Sequence, residues 1–109
     1  MKERRYFERF NVDFPVTFVD LKRNKEGAGK MINISAGGGG MIITSDELEP
    51  NTPLEMSLHL PNNRDPIFAT GTVAWTSPIE PKGCRVGVQF EKVDFLDIAQ
   101  ALNLNYPNK

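Results

Sequence analysis

The chain has 109 residues, of which 39% are hydrophobic and 25% charged, with 13 basic side chains against 14 acidic ones. These values predict one soluble globular domain with a single core and a single site, and they exclude a catalytic domain joined to a substrate domain. A net charge of −1 argues against a general DNA or RNA binder. One Cys and one His can build neither an internal disulfide nor a structural zinc site.

No apolar run approaches the roughly 20 residues that cross a bilayer, and Met1-Lys2-Glu3-Arg4-Arg5 is a charged start with no apolar stretch behind it. A cytoplasmic protein without membrane insertion is therefore expected. The charge is unevenly spread. Residues 1–30 carry eight basic and five acidic side chains, whereas residues 31–109 carry five basic and nine acidic. Such a split suits a compact anionic ligand near the N-terminus better than a long polyanion tracked across a face. A solvated basic tail is the plainer alternative.

In chain order, Val12, Phe14, Val16 and Phe18 alternate with polar residues and Pro15, the period of a half-buried strand. Pro15 belongs on an edge or near the start of it. Residues Lys22 to Gly29 are polar and end in glycines, which predicts an exposed hairpin loop. A second strand is expected over Lys30 to Ile34 and, after the interruption Ser35 to Gly40, a third over Met41 to Thr44. Leu54 to Leu60, Phe68 to Thr76 and Cys84 to Phe90 complete about six strands at short spacing, divided by Pro- and Asn-rich turns. Closure of such a set into an antiparallel barrel removes exposed strand edges. Asp94 then caps a short amphipathic helix with Phe95, Leu96, Ile98, Ala99 and Leu102 at helical spacing, stopped by Asn103 and Pro107. The expected organisation is one domain over residues 1–109: a flexible segment 1–10, a barrel 11–92 and a helix 93–104.

Several residues invite sharper readings than they support. The glycine run resembles a phosphate loop, but Met41 and Ile42 stand where the Lys-Ser/Thr pair would follow. His59 alternates with leucines and has no partners for catalysis, Cys84 opens an apolar strand and is expected to pack, and Asp94 with Asp97 is explained by a helix cap. No nucleophile, base and metal set is present, so an enzyme is not expected.

Two short pieces stand apart: Arg4-Arg5-Tyr6-Phe7-Glu8-Arg9 before the first strand, and Asn33-Ile34-Ser35-Ala36-Gly37-Gly38 between the second and third. Together they resemble the PilZ domain family, whose signatures RxxxR and (D/N)xSxxG are met by Arg5 and Arg9 and by Asn33, Ser35 and Gly38. Gly71 to Trp75 and Arg85 to Phe90 also look like late strands of that family, so the resemblance covers nearly the whole chain. It implies an all-β, six-stranded antiparallel barrel with a short C-terminal helix, and a bacterial, non-enzymatic receptor for cyclic di-GMP that needs no cofactor.

The residue chemistry agrees with that ligand. Guanidinium groups grip a phosphate or the O6/N7 edge of guanine in a bidentate way, which suits Arg5 and Arg9. Asn33 accepts from a guanine N–H, less strongly than a carboxylate would, Ser35 offers a small hydroxyl, and Gly38 takes positive φ and admits the ligand to the backbone. By resemblance, Arg4 as a third cation implies two ligand molecules per chain. Trp75 is either a stacking surface for a base or a core tryptophan. Binding is expected to order the N-terminal segment and so alter a surface read by a downstream protein, by resemblance one of motility, exopolysaccharide or pilus machinery, with the chain a monomer or weak dimer. The alternatives are a PilZ-like adaptor that binds protein but no nucleotide, and a small barrel for single-stranded nucleic acid, the latter disfavoured by charge.

Overall fold

The computed structural model describes residues 9–44, 47–61 and 65–103. Six strands run β1 Phe10–Asp20, β2 Lys25–Ile34, β3 Gly38–Ile43, β4 Pro53–Leu58, β5 Ile67–Pro78 and β6 Cys84–Lys92, followed by helix α1 Phe95–Ala101. All neighbours are antiparallel, and the order β1-β2-β3-β6-β5-β4 closes on itself through pairing of β4 with β1. The expected six-stranded barrel is present.

Alternation builds the core. Phe14, Val16 and Phe18 of β1 point inward with Leu54, Met56 and Leu58 of β4, meeting Met31, Ile34, Met41, Ile43, Val73, Val86 and Val88 in one cluster. Cys84 is buried in it, as its position in an apolar strand predicts. Pro15 sits just beyond the β1–β4 ladder, which begins at Val16 opposite Leu58, and its carbonyl accepts from the His59 N–H at 3.0 Å. The lost N–H therefore interrupts no rung of that ladder. The His59 ring lies 3.2 Å from the Thr17 hydroxyl, a satisfied surface position.

The expected hairpin loop from Lys22 to Gly29 is corrected by the structure: β2 begins at Lys25, and the connection is confined to residues 21–24. Buried Asp20 holds this turn by accepting from the backbone N–H groups of Lys22 and Arg23 at 2.9 and 3.0 Å. Gly27 and Gly29 are packing positions rather than turn residues. A Cβ on Gly27 would lie 2.5 Å from Phe18 Cζ, and one on Gly29 would lie 2.6 Å from the Ile42 carbonyl oxygen.

Helix α1 is shorter than the expected 93–104. Asp94 caps it, accepting from the Asp97 N–H at 3.2 Å, while Leu102 is its C-cap and Asn103 adopts φ 56°. Phe95, Ile98 and Ala99 are buried against the barrel, and the rings of Phe95 and Phe10 stack at 6.4 Å. The helix is thus part of the core. Pro107 lies outside the described residues.

Candidate ligand-binding site

The register of β1 on β2 joins the two sequence motifs. Phe10 faces Ile34 and Asn11 faces Asn33, so Arg9, the last member of the first motif, emerges beside the start of the second. Arg9 Nη1 donates to Asn33 Oδ1 at 3.3 Å across 24 residues of sequence. Arg4 and Arg5 lie outside the described residues.

Arg9 and Asn33 form one side of a hollow of about 710 Å³, within the range of roughly 300–1,000 Å³ usual for small-molecule sites. Its floor is a row running across four strands. Asn33 of β2 faces Gly40 of β3, Gly40 faces Gly87 of β6, and Gly87 faces Trp75 of β5. The two outer side chains lean in over the two glycines. A Cβ on Gly40 would stand 2.8 Å from Asn33 Nδ2, and one on Gly87 would stand 2.2 Å from Trp75 Nε1. The amide and the indole thus sit directly over the two glycines.

Two irregularities in the ladders explain why these side chains face outward. By simple alternation Asn33 would share the inward face of Met31, and Trp75 that of Val73. The register shifts between Met31 and Asn33, and again between Val73 and Trp75. Each shift turns the following side chain to the outer face, as bulges beside functional sites commonly do. Trp75 is 47% exposed and lines the hollow, so the core alternative for it is excluded.

Ser35 and Gly38 close the β2–β3 hairpin with reciprocal backbone bonds of 2.7 and 3.4 Å. The Ser35 hydroxyl is part of that turn: it donates to the Gly38 carbonyl and accepts from the Gly37 N–H, both at 3.3 Å. One lone pair remains. The Gly37 carbonyl in turn accepts from the Phe90 N–H at 2.9 Å, which ties the loop to β6. Gly38 does not have the positive φ expected of it. It is the first residue of β3, and the glycine at positive φ among the described residues is Gly83. Glycine is required at 38 because a Cβ there would stand 2.1 Å from the Val88 carbonyl oxygen of the neighbouring strand.

All five described members of the predicted set, Arg9, Asn33, Ser35, Gly38 and Trp75, line this one hollow. Sequence reasoning missed Gly40, Gly87 and Gln89. A lone glycine inside the strand pattern Arg85 to Phe90 was the available signal for Gly87, because it marks close approach of another group to the backbone.

The model of the PilZ domain matches residues 3–104. The chain belongs to the PilZ domain family. A search of the curated proteins found no match. Among solved structures, the inhibitor of motility MotI/DgrA of Bacillus subtilis superposes with TM-score 0.70 at 17% identity, covering 94% of this chain and 54% of its own. The chain therefore spans about half the length of that relative. The PilZ domain of YcgR from Escherichia coli, solved with c-di-GMP, gives TM-score 0.68 at 14% identity, covering 91% of this chain and 86% of its own. The PilZ domain of CeSA from a cellulose-synthesising bacterium gives 0.63 at 13% identity, covering 91% and 99%. At these identities the likeness is one of fold.

Proposed function

We propose that this PilZ domain is a non-enzymatic receptor for cyclic di-GMP. The observation that carries the reading is the 3.3 Å contact of Arg9 with Asn33 at the rim of a glycine-floored hollow, which lets members of both motifs act on one ligand. Arg5 and Arg9 clamp phosphate or the guanine O6/N7 edge through paired N–H donors. The Asn33 amide oxygen, released from Arg9 as the guanidinium turns to the ligand, accepts from a guanine N–H. Ser35 holds the hairpin in shape, Gly38 lets β3 pack closely on β6 beside the hollow, and Trp75 gives an aromatic wall for a base, a contact worth roughly 1–3 kcal/mol. Arg4 adds a third cation for a second ligand molecule.

In this reading the bound ligand draws Arg5 and Arg9 together over the hollow, and a partner protein responds to the changed surface. The solution of the YcgR PilZ domain with c-di-GMP and the naming of MotI as an inhibitor of motility support the ligand and suggest motility as one output. Among the described residues no helix is long and apolar enough to cross a membrane, which is compatible with a cytoplasmic receptor.

Isothermal titration with cyclic di-GMP, with GTP and cyclic di-AMP as controls, tests this. Saturable heat is expected with cyclic di-GMP alone, and Arg9→Ala should weaken it about 10- to 100-fold, the loss of a charge-assisted bidentate contact. Absence of heat at micromolar to millimolar ligand would refute the receptor reading and favour the protein adaptor.

A further inference from the structure

Among the described residues, the hollow where the motifs meet is not the one concavity of ligand size. A hollow of about 880 Å³ lies on the outer face of β2, β1, β4 and β5. In the strand order β1-β2-β3-β6-β5-β4 the pair β1/β4 stands three places from the pair β3/β6, so this hollow is on the opposite side of the barrel from the Asn33–Trp75 floor.

Two adjacent cross-strand rows build it. In one, Ala28, Thr17, Ser57 and Phe68 face each other in turn, and in the other Glu26, Val19, Glu55 and Thr70 do. Small side chains make a trough in the middle, and Phe68 forms a wall at its β5 side. Phe68 is 71% exposed, the barest large apolar residue among those described. Beyond it a second, shallower hollow continues to Leu96 of α1, which is 50% exposed. Exposed aromatic and aliphatic groups next to a trough are the composition of an interface core rather than of ordinary solvated sheet.

The charged groups define the occupant. Glu26 and Glu55, the two charged residues lining the trough, flank Val19 from either side and form no ion pair among the described residues. With strands about 4.8 Å apart, their backbones are separated by roughly 10 Å, the diameter of one helix. A second copy of this chain is disfavoured, because a two-fold contact centred on Val19 would bring Glu26 of each copy against Glu55 of the other. An anionic lipid surface is disfavoured for the same reason.

We infer that the β1/β4 face, centred on Phe68, Val19, Glu26 and Glu55, is a docking site for a cationic amphipathic helix of a partner protein. The apolar stripe of that helix lies along Val19 and Phe68, and its flanking Lys or Arg residues reach Glu26 and Glu55. Because the nucleotide hollow is on the other side of the barrel, the two ligands bind without competing. Only the role of this face as a signalling output rests on the receptor reading.

The test is amide NMR of the full chain titrated with a synthetic helix carrying leucines at i, i+3, i+4 and i+7 and lysines beside that stripe, with a glutamate-flanked version as control. Saturable shifts are expected at Val19, Ser57, Phe68 and Thr70 and not at Gly40 or Gly87, with or without cyclic di-GMP. Phe68→Ser and the double change Glu26→Lys with Glu55→Lys should each weaken the lysine peptide by about tenfold or more. Both sets of positions are on the surface, so the amide spectrum should otherwise be retained. Equal binding of the glutamate peptide, shifts centred elsewhere, or no saturation up to millimolar peptide would overturn the proposal. So would Phe68-dependent self-association in sedimentation without peptide, which would assign the face to a second copy. Loss of cyclic di-GMP binding alone would leave these outcomes unchanged, which separates failure of this proposal from failure of the receptor reading.

Discussion

The two hollows of this barrel are built on the same kind of ladder and differ in what covers the strands. Over β3 and β6 the floor is glycine: Gly40 and Gly87 face each other, and the surrounding side chains are an amide, an indole and a guanidinium. Over β1 and β4 the backbone is covered by Thr17, Ser57 and Ala28, and the walls are phenyl, isopropyl and carboxylate groups. A glycine floor lets a flat group rest directly on the strands, whereas a floor of methyl and hydroxyl groups holds a partner off and offers it apolar contact. The face proposed for the nucleotide and the face proposed for a helix thus differ in what covers the strands, and closure of the sheet keeps them apart.

The largest effect that separates the faces is the Arg9→Ala loss of nucleotide affinity, which should leave peptide binding at Phe68 within about twofold, since the sites share no residue and distant sites add. Next is Gly87→Ala. The new methyl would fall 2.2 Å from Trp75 Nε1 and must displace the indole from the floor. Because Trp75 is half exposed it can swing away, so thermal stability should fall by no more than about 1–2 kcal/mol while cyclic di-GMP binding weakens about 5- to 30-fold. Calorimetry and titration on the same sample check both numbers. A smaller change sharpens the polar side. Asn33→Asp replaces a neutral acceptor 3.3 Å from Arg9 with a carboxylate able to accept from two guanine donors, and should tighten cyclic di-GMP binding by about 1 kcal/mol, roughly fivefold, with GTP unaffected.

The barrel was legible because β1, β4 and the first half of β6 alternate apolar and polar residues, and inward Phe14, Val16 and Phe18 leave one way to bury that face. The first half of β2 was not, because glycine reads locally as a turn signal. Here Gly27 makes room for the Phe18 ring and Gly29 for the β3 backbone, a demand set by distant residues that no local rule contains. The site was legible as two motifs and as a cluster once β1 pairs with β2. Its orientation was not. Whether Trp75 faces the core or the hollow depends on one extra residue between Val73 and Trp75, and period-two reasoning turns every later side chain to the wrong face when a bulge is missed. Gly38 lines the hollow, but glycine is required there by the neighbouring carbonyl and not by its φ.

Trp75 is the one tryptophan of the chain and it lines the hollow of both motifs, so its fluorescence reports on that site alone. Titration of the full chain with cyclic di-GMP, followed by tryptophan emission, should give a saturable change that GTP does not produce and that Arg9→Ala shifts to about 10- to 100-fold higher ligand. Emission that stays constant while calorimetry registers binding would contradict the placement of the ligand between Asn33 and Trp75, and constant emission without binding would contradict the receptor reading itself.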